Sequence, residues 1–185
     1  MKLTKAQRDA RERHIAALRD AHDDLTNARD EYMTDLDADR DAYAAAIAEG
    51  SEDAAEDARI LRDATRAFNE DRRALWDARI APVLAAFNVA VEHATAFVAA
   101  TAADLRAKYD AKCERSERWQ MSDTGAAAET FVCEWETAEF DGFEPERPAD
   151  LDASVHPDDI ETDPFECDVP EIAEELEALP EESET

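Results

Sequence analysis

Apolar residues in the first quarter of the chain recur at steps of three, four and seven residues. This spacing puts them on one face of an α-helix and predicts a single helix over about residues 4–49, with Thr4 as its N-cap. Part of the stripe repeats every 11 residues, which keeps it nearly straight. The stripe consists of Leu18, Ala21, Leu25, Ala28, Tyr32, Leu36, Tyr43 and Ile47.

The helical pattern breaks at Gly50-Ser51 and then resumes. Gly50 suits the left-handed position after a helix, and Ser51 suits the N-cap of a second helix over about residues 52–112. So short a turn joins antiparallel neighbours, so the pattern predicts a long helical hairpin. Pro82 lacks a backbone donor and clashes with the preceding turn, which predicts a kink near it.

The stretch from residue 113 to 140 fits two interpretations. Phe131, Cys133 and Trp135 alternate with polar neighbours, as in a short half-buried strand. The alanine run before them favours a third, shorter helix over about residues 125–139, capped by Ser122 or Asp123. We expect the helix.

The amino-acid composition of the chain changes after residue 140. Proline recurs every few residues between acidic side chains, which predicts a largely extended, acidic, Pro-rich tail over residues 141–185. A short helix is expected near residues 171–179, after Pro170. The predicted fold is therefore all-α, with a helical hairpin or bundle domain over residues 1–140 followed by the tail.

Negative charge is concentrated in the C-terminal part of the chain. The formal net charge is −28; residues 1–112 carry 23 acidic and 17 basic side chains, whereas residues 113–185 carry 25 acidic and 3 basic ones. Such a block repels itself and stays solvated until cations neutralise it. Because phosphate requires Lys and Arg opposite it, direct nucleic-acid binding is not expected.

The second helix carries a cluster of arginines interleaved with acids. The mixture of signs favours interhelical ion pairs or a solvated face, and it also suits docking of the chain's own acidic tail. It does not suit a nucleic-acid groove. The cluster is Arg59, Arg62, Arg66, Arg72, Arg73 and Arg79.

No motif for catalysis, metal binding or cofactor binding emerges. An EF-hand-like spacing runs from Asp150 through Ser154 to Glu161, but Val155 replaces the glycine that the loop requires. His93 beside Glu92 is interpreted as a satisfied pair near the core. We therefore predict no enzyme, no metal and no cofactor.

Aromatic groups ringed by acids make good anchors for a basic surface, because rings supply contact area and carboxylates supply steering. Packing against the hairpin is the competing explanation for the same aromatic groups. The predicted partner-binding residues are Trp119, Phe131, Glu134, Trp135, Glu136, Glu139, Glu171, Ile172, Glu174, Glu175, Leu176 and Leu179.

These features favour a non-enzymatic interaction protein whose acidic C-terminal region binds a basic protein surface. A nucleic-acid mimic, or an inhibitor of a DNA- or RNA-binding enzyme, is one form of this class. The alternative is a coiled-coil assembly protein, for example of a phage or mobile element, with a solubilising tail and self-association through its stripe. Adaptation to high salt would also explain acidity, although an even charge distribution would fit it better. Three widely spaced cysteines and a charged start favour the cytoplasm. The apolar run over residues 80–103 is about as long as a bilayer is thick, but its many alanines and the Glu92-His93 pair favour a buried core helix, so no membrane is expected.

Overall fold

The protein is mainly α-helical in a computed structural model that describes residues 1–50, 52–153 and 155–183. The all-α prediction is confirmed. Outside the helices, the described residues contain one isolated antiparallel bridge, between Lys2 and Glu182. The helices are α1 (Lys5–Ala48), α2 (Ala54–Leu75), α3 (Ala81–Arg115), α4 (Glu117–Gln120), α5 (Asp123–Thr137) and α6 (Ile172–Ala178).

The chain forms two compact units. Unit 1 comprises Met1–His22, Phe87–Gly142 and Pro170–Thr185, and unit 2 comprises Asp23–Ala86 and Phe143–Val169. The predicted boundary at residue 140 between a helical domain and a tail stays a prediction.

Unit 1 is built on the start of α1 and the length of α3 that belongs to it. Thr4 Oγ1 accepts from the Gln7 amide at 3.2 Å, and Gln7 Oε1 accepts from the Thr4 amide at 2.8 Å. This reciprocal pair is a capping box, so the predicted cap at Thr4 is confirmed. Gln7 also donates to Asp104 at 2.9 Å, and the His14 and Phe97 rings lie 5.0 Å apart. The two helices therefore run antiparallel within this unit.

Unit 2 packs the remainder of α1 against α2. The Tyr43 and Phe68 rings lie 5.5 Å apart, and Tyr32 meets Trp76 edge to face at 6.5 Å. Arg79 donates to Glu31 at 2.8 Å and to Asp35 at 2.9 Å. Tyr32 is fully buried, as the 11-residue spacing of the stripe predicts.

Two helix boundaries follow directly from residue chemistry. Gly50 has φ +27°, the left-handed backbone that favours glycine after a helix. Ser51 lies outside the described residues, and the N-cap of α2 is Asp53, which accepts from the Ala55 amide at 2.8 Å. A π-helical turn, Trp76–Ile80, ends two residues before Pro82, whose missing donor disturbs the regular bonding pattern.

Residues 123–137 form a helix, so the helical interpretation of this stretch is confirmed over the strand. Ser122 caps α5 by accepting from the Gly125 amide at 3.2 Å. Gly125 lies where the chain approaches itself closely: a Cβ there would sit 2.3 Å from the Trp119 carbonyl oxygen. The close approach of α4 to α5 therefore requires glycine at this position.

The C-terminal segment is packed, which differs from the solvated arm that its charge suggests. Its apolar side chains supply the reason, because burying them offsets the repulsion between acids. In unit 2 these buried residues are Phe143, Ile160, Phe165 and Val169; in unit 1 they are Ile172, Ala173 and Leu176.

One helix in the described residues, Ala54–Arg115 counted through its π turn, is long and apolar enough to cross a membrane by length and composition. A single helix of this kind is weak evidence for a membrane protein, because core helices of globular proteins pass the same test.

Candidate partner-binding surface

All twelve predicted partner-binding residues belong to unit 1, on or beside α4, α5 and α6. Their apolar and acidic members have different environments. Phe131 and Trp135 are buried, at 1% and 0% exposure. Trp135 Nε1 donates to the Pro180 carbonyl at 3.0 Å, and its ring meets Phe97 edge to face at 6.1 Å. These two aromatic side chains pack the core of the unit, and a partner does not reach them in this arrangement.

Trp119 is half-buried at the end of α4. Its ring lies 5.7 Å from that of Tyr109, and Lys112 Nζ lies 5.0 Å above it. A cation over an indole face is a favourable contact in itself, so this ring already has a cationic partner within the chain.

The α6 helix separates apolar and acidic side chains cleanly. Ile172 and Leu176 are buried, and Leu179 is half-buried just beyond the helix. The acidic side chains Glu171, Glu174 and Glu175 are exposed and have no ion-pair partner within 4.0 Å among the described residues. Residues at i, i+3 and i+4 share one helix face, so these three carboxylates project together into solvent. We call them the acidic face.

The acidic residues of α5 and its end are exposed as well, but they are not equivalent. Glu136 accepts from Arg106 Nε at 2.7 Å, and this hydrogen bond holds the pKa of the Glu136 carboxyl below its usual range. Glu134 and Glu139 have no such cation within the described parts of the chain. Glu134 and Glu139 therefore keep their full charge available to a partner, whereas Glu136 is neutralised by Arg106.

An open groove of about 490 Å³ lies between α5 and the last residues of the described chain. Two carboxylates, Glu134 and Glu182, line it together with the apolar surfaces of Ala127, Ala178 and Pro180. No basic residue lines it among the described residues. An aliphatic stem ending in a cation suits such a groove, because the stem covers the apolar floor while the charge meets the carboxylates.

Arg11 fixes the position of this surface. It is 5% exposed, and Nε donates to the Leu176 carbonyl at 3.1 Å while Nη2 donates to the Leu179 carbonyl at 2.7 Å and to the Glu177 carbonyl. Nη1 donates to Glu181 at 3.1 Å. A helix leaves its last carbonyls unpaired, and this single guanidinium satisfies several of them at the end of α6.

Backbone pairing reinforces this arrangement. The Leu3 amide donates to the Glu181 carbonyl and the Ser183 amide to the Met1 carbonyl, each at 2.8 Å. Sequence reasoning missed the role of Arg11, although a signal exists: Arg11 stands four residues before Ile15 and seven before Leu18, in register with the apolar stripe. A cation in such a register is expected to find a buried acceptor.

In unit 2 the arginines of α2 do hold the acidic segment, as the sequence suggested. Arg72 donates to the Ala149 carbonyl at 2.9 Å, and Arg73 lies 3.6 Å from the Asp150 carboxylate. Buried Asn69 accepts from the Leu151 amide at 2.8 Å and donates to the Leu151 carbonyl at 3.0 Å. Arg59 and Arg66 instead pair with acids on their own helix.

Other candidates for chemistry gain no support. Glu92 and His93 are both exposed, so the expected buried pair is wrong; their register places them on the outer side of α3. Ser154 of the EF-hand-like spacing lies outside the described residues. Within the described ranges, no three His, Cys, Asp or Glu side chains are grouped as metal ligands. The absence of enzyme activity, metal and cofactor stays a prediction.

Comparison with known proteins gives no match: no protein-family model, no curated protein and no solved structure resembles this chain.

Proposed function

We propose that this protein is a non-enzymatic interaction protein whose acidic C-terminal region binds a basic surface on a partner protein. The observation that carries the proposal is the acidic face of Glu171, Glu174 and Glu175, which is exposed and unpaired within the described chain. Arg11 and the Trp135–Pro180 hydrogen bond hold the segment that presents it. A fixed carboxylate array loses little conformational entropy on binding, which favours affinity.

The preferred partner is a protein whose basic surface normally binds nucleic acid. Spaced carboxylates reproduce the charge of a phosphate array, and they attract Lys and Arg through the same electrostatics. The groove beside Glu134 and Glu182 supports this choice, because it suits one long cationic side chain of the partner. In this proposal the protein acts as a nucleic-acid mimic or inhibitor and does not bind nucleic acid itself.

The scaffold we propose is a long helical hairpin of about residues 4–49 and 52–112, kinked near Pro82, with a shorter third helix and an acidic Pro-rich tail. Gly50, with its positive φ, supports the turn, and the π-helical turn before Pro82 supports a local change of direction. Antiparallel contacts inside each unit support the pairing of the two long arms. A cytoplasmic location is part of the proposal, and the free thiols of all three cysteines suit a reducing compartment.

Affinity capture with the immobilised full chain tests the proposal. We expect basic DNA-binding proteins from a cell lysate to be enriched and then displaced by excess duplex DNA, because mimic and nucleic acid compete for one surface. The variant Glu171→Lys/Glu174→Lys/Glu175→Lys should lose the enrichment, since reversing the acidic face turns attraction into repulsion.

A matched control separates the site from general acidity. The variant Glu144→Lys/Glu146→Lys/Glu166→Lys changes the net charge equally at exposed positions of the same acidic segment, outside the predicted partner-binding set. It should retain the captured proteins. Equal loss in both variants, or no enrichment of basic proteins by the natural chain, would refute the proposal.

The second candidate function is assembly through an apolar helix face. In unit 1 the outer side of α3 exposes small apolar residues, and Val89 is 47% exposed. Small residues let two helices approach closely, so this face suits a helix of another copy. Such an assembly would keep its mass at high salt, because apolar contacts are not screened. The face also includes Ala96, Ala99, Ala100 and Ala103, and exposed Glu92 and His93 interrupt it between Val89 and Ala96.

A further inference from the structure

A second, oppositely charged groove lies in unit 1, between the first residues of the chain and the end of α3. It encloses about 570 Å³, and no acidic residue lines it among the described residues. We call it the basic groove. Its basic lining residues are Lys2, Lys108, Lys112 and Arg115, and the rest of its lining is Met1, Leu3, Thr4 and Ala111.

The cations of the basic groove are largely unneutralised. Lys2, Lys112 and Arg115 are exposed and have no carboxylate oxygen within 4.0 Å in the described parts of the chain, while Lys108 pairs with Asp104 at 2.5 Å. Other exposed cations of the described chain, such as Arg13, Arg62 and Arg118, also have no carboxylate oxygen within 4.0 Å. The distinctive feature of the groove is therefore that several such cations line one cavity.

Helix geometry explains part of this cluster but not all of it. Lys108, Lys112 and Arg115 fall at i, i+4 and i+7 near the C-terminus of α3, where cations interact favourably with the helix dipole. Lys2 lies on a different segment, so the register of α3 does not account for its place in the cluster. Burial is the main cause that lowers the pKa of the Met1 amino group, and the charge of Lys112 adds to it, while Glu182 acts in the opposite direction.

The lining of the basic groove limits what suits it. Leu3 and Ala111 provide an apolar floor, and the lysine stems extend it, so the complementary surface carries acidic groups beside apolar ones. The acidic face of α6 supplies the acidic groups, and half-buried Leu179 just beyond the helix supplies a partly exposed apolar side chain in the same segment.

We propose that the basic groove receives the acidic face of a second copy of this chain. The contact joins two different surfaces of unit 1, so it is a head-to-tail contact that propagates into rings or filaments instead of stopping at a symmetric dimer. This inference rests on the proposed function, since it names a second copy as one basic surface that the acidic face binds.

A nucleic acid is the competing occupant, and the charges disfavour it. Four cations face the groove of a molecule whose formal net charge is −28, so a long polyanion meets repulsion along most of its length. Two copies of this chain also repel each other, but the contact is short, and charges beyond about 8 Å are screened at physiological salt.

Sedimentation of the full chain tests the inference. At about 50 mM salt we expect the average mass to rise with protein concentration, and at about 500 mM salt we expect it to return toward the monomer. Lys112→Glu/Arg115→Glu should weaken association about tenfold or more, because reversal turns attraction into repulsion. The control Arg62→Glu/Arg66→Glu changes the net charge equally at exposed positions on α2 and should have little effect.

Charge exchange makes the test specific. Glu174→Lys/Glu175→Lys should also be monomeric, but an equimolar mixture with Lys112→Glu/Arg115→Glu should associate, because each variant then offers the surface that complements the other. Circular dichroism checks that each variant folds. If Lys112→Glu/Arg115→Glu does not fold, Lys112→Gln/Arg115→Gln is used in its place.

Three outcomes would overturn the inference: a natural chain that is monomeric at low salt, association that the groove variant leaves unchanged, or binding of a labelled DNA duplex that the groove variant abolishes. Failure here remains separate from failure of the proposed function. The monomeric groove variant retains its acidic face and is still expected to capture basic DNA-binding proteins. A natural chain that stays monomeric at low salt but captures those proteins contradicts only this inference.

Discussion

The acidic C-terminal segment is held by different chemistry in the two units. In unit 1, buried Arg11 donates mainly to backbone carbonyls at the end of α6. In unit 2, Arg29 donates to the Asp163 carboxylate from Nε at 2.9 Å and from Nη2 at 2.5 Å, and it lies 3.5 Å from Asp168. One guanidinium therefore binds the main chain, whereas the other neutralises side chains.

This difference decides whether the carboxylates bound by each arginine remain free. A cation that binds carbonyls fixes a segment without consuming its carboxylates, and the acidic face of α6 stays charged and exposed. A cation that binds carboxylates fixes a segment by neutralising it. Unit 2 also exposes acids such as Glu144 and Glu166, but these do not lie on a helix. Unit 1 presents three acids together at α6 and is therefore the better candidate for a surface that recruits a basic partner.

The largest effect is expected from Arg11→Met, which keeps much of the side-chain volume but removes the donors. Several carbonyls at the end of α6 would be left without partners, and we expect the free energy of unfolding to fall by about 3 kcal/mol. Urea denaturation measures the loss, and hydrogen exchange should show α6 opening first.

Arg19→Met is the matched control for this change. Arg19 lies on the same helix and pairs with Glu177, but both side chains of that pair are about half exposed. Its loss should cost about 0.5 kcal/mol or less. Equal losses for the two variants would show that the bonds from buried Arg11 to carbonyls contribute no more to stability than the exposed ion pair of Arg19.

Asn69→Leu is the corresponding experiment in unit 2, with a smaller expected loss of about 2 kcal/mol. The Asn69 side-chain amide pairs with both backbone groups of Leu151, and leucine leaves the amide and the carbonyl of Leu151 without those bonds. Asn69→Asp is the graded variant, because it keeps the acceptor and loses the donor. If Asn69→Leu were as stable as the natural protein, the amide contact would not be what holds this part of the segment.

Periodic features of this fold were predictable from sequence, and contacts between distant residues were not. Leu25, Tyr32 and Leu36 are buried as their spacing indicates, because helical period depends on local sequence alone. The same pattern does not reveal what covers an apolar face, which is why Phe131 and Trp135 suited partner anchors and core residues equally. Arg11 meets a carbonyl 165 positions away, beyond any local pattern.

The pH dependence of stability should distinguish the contacts of Arg11 from those of Arg29. Burial raises the pKa of the Asp163 carboxyl, but hydrogen bonds from Arg29 and from the Phe165 amide outweigh it, and the pKa ends below its ordinary value. A carboxyl with a depressed folded pKa stabilises the protein above its unfolded pKa of about 3.9 and loses that contribution as pH falls through the folded value.

Asp163→Asn should therefore be less stable than the natural protein at pH 7. This gap in the free energy of unfolding should narrow as the pH falls below about 4. The bonds from Arg11 to carbonyls do not titrate, so most of the Arg11→Met gap should persist over the same range. Urea midpoints at several pH values measure both gaps. A gap for Asp163→Asn that stays constant with pH would contradict the neutralising role of Arg29.

The smallest effect on stability is expected from Glu174→Gln/Glu175→Gln. Both carboxylates lie in the first turn of α6, where the helix dipole favours negative charge, yet their removal also relieves repulsion from neighbouring acids. These opposed contributions should leave the free energy of unfolding within about 0.5 kcal/mol of the natural value, as measured by urea denaturation. Capture of basic proteins should nevertheless weaken, because these two carboxylates attract basic partners although they contribute little to the stability of the fold. A large loss of stability would mean that these acids serve the fold of unit 1, as Asp163 serves that of unit 2, and the contrast between the units would disappear.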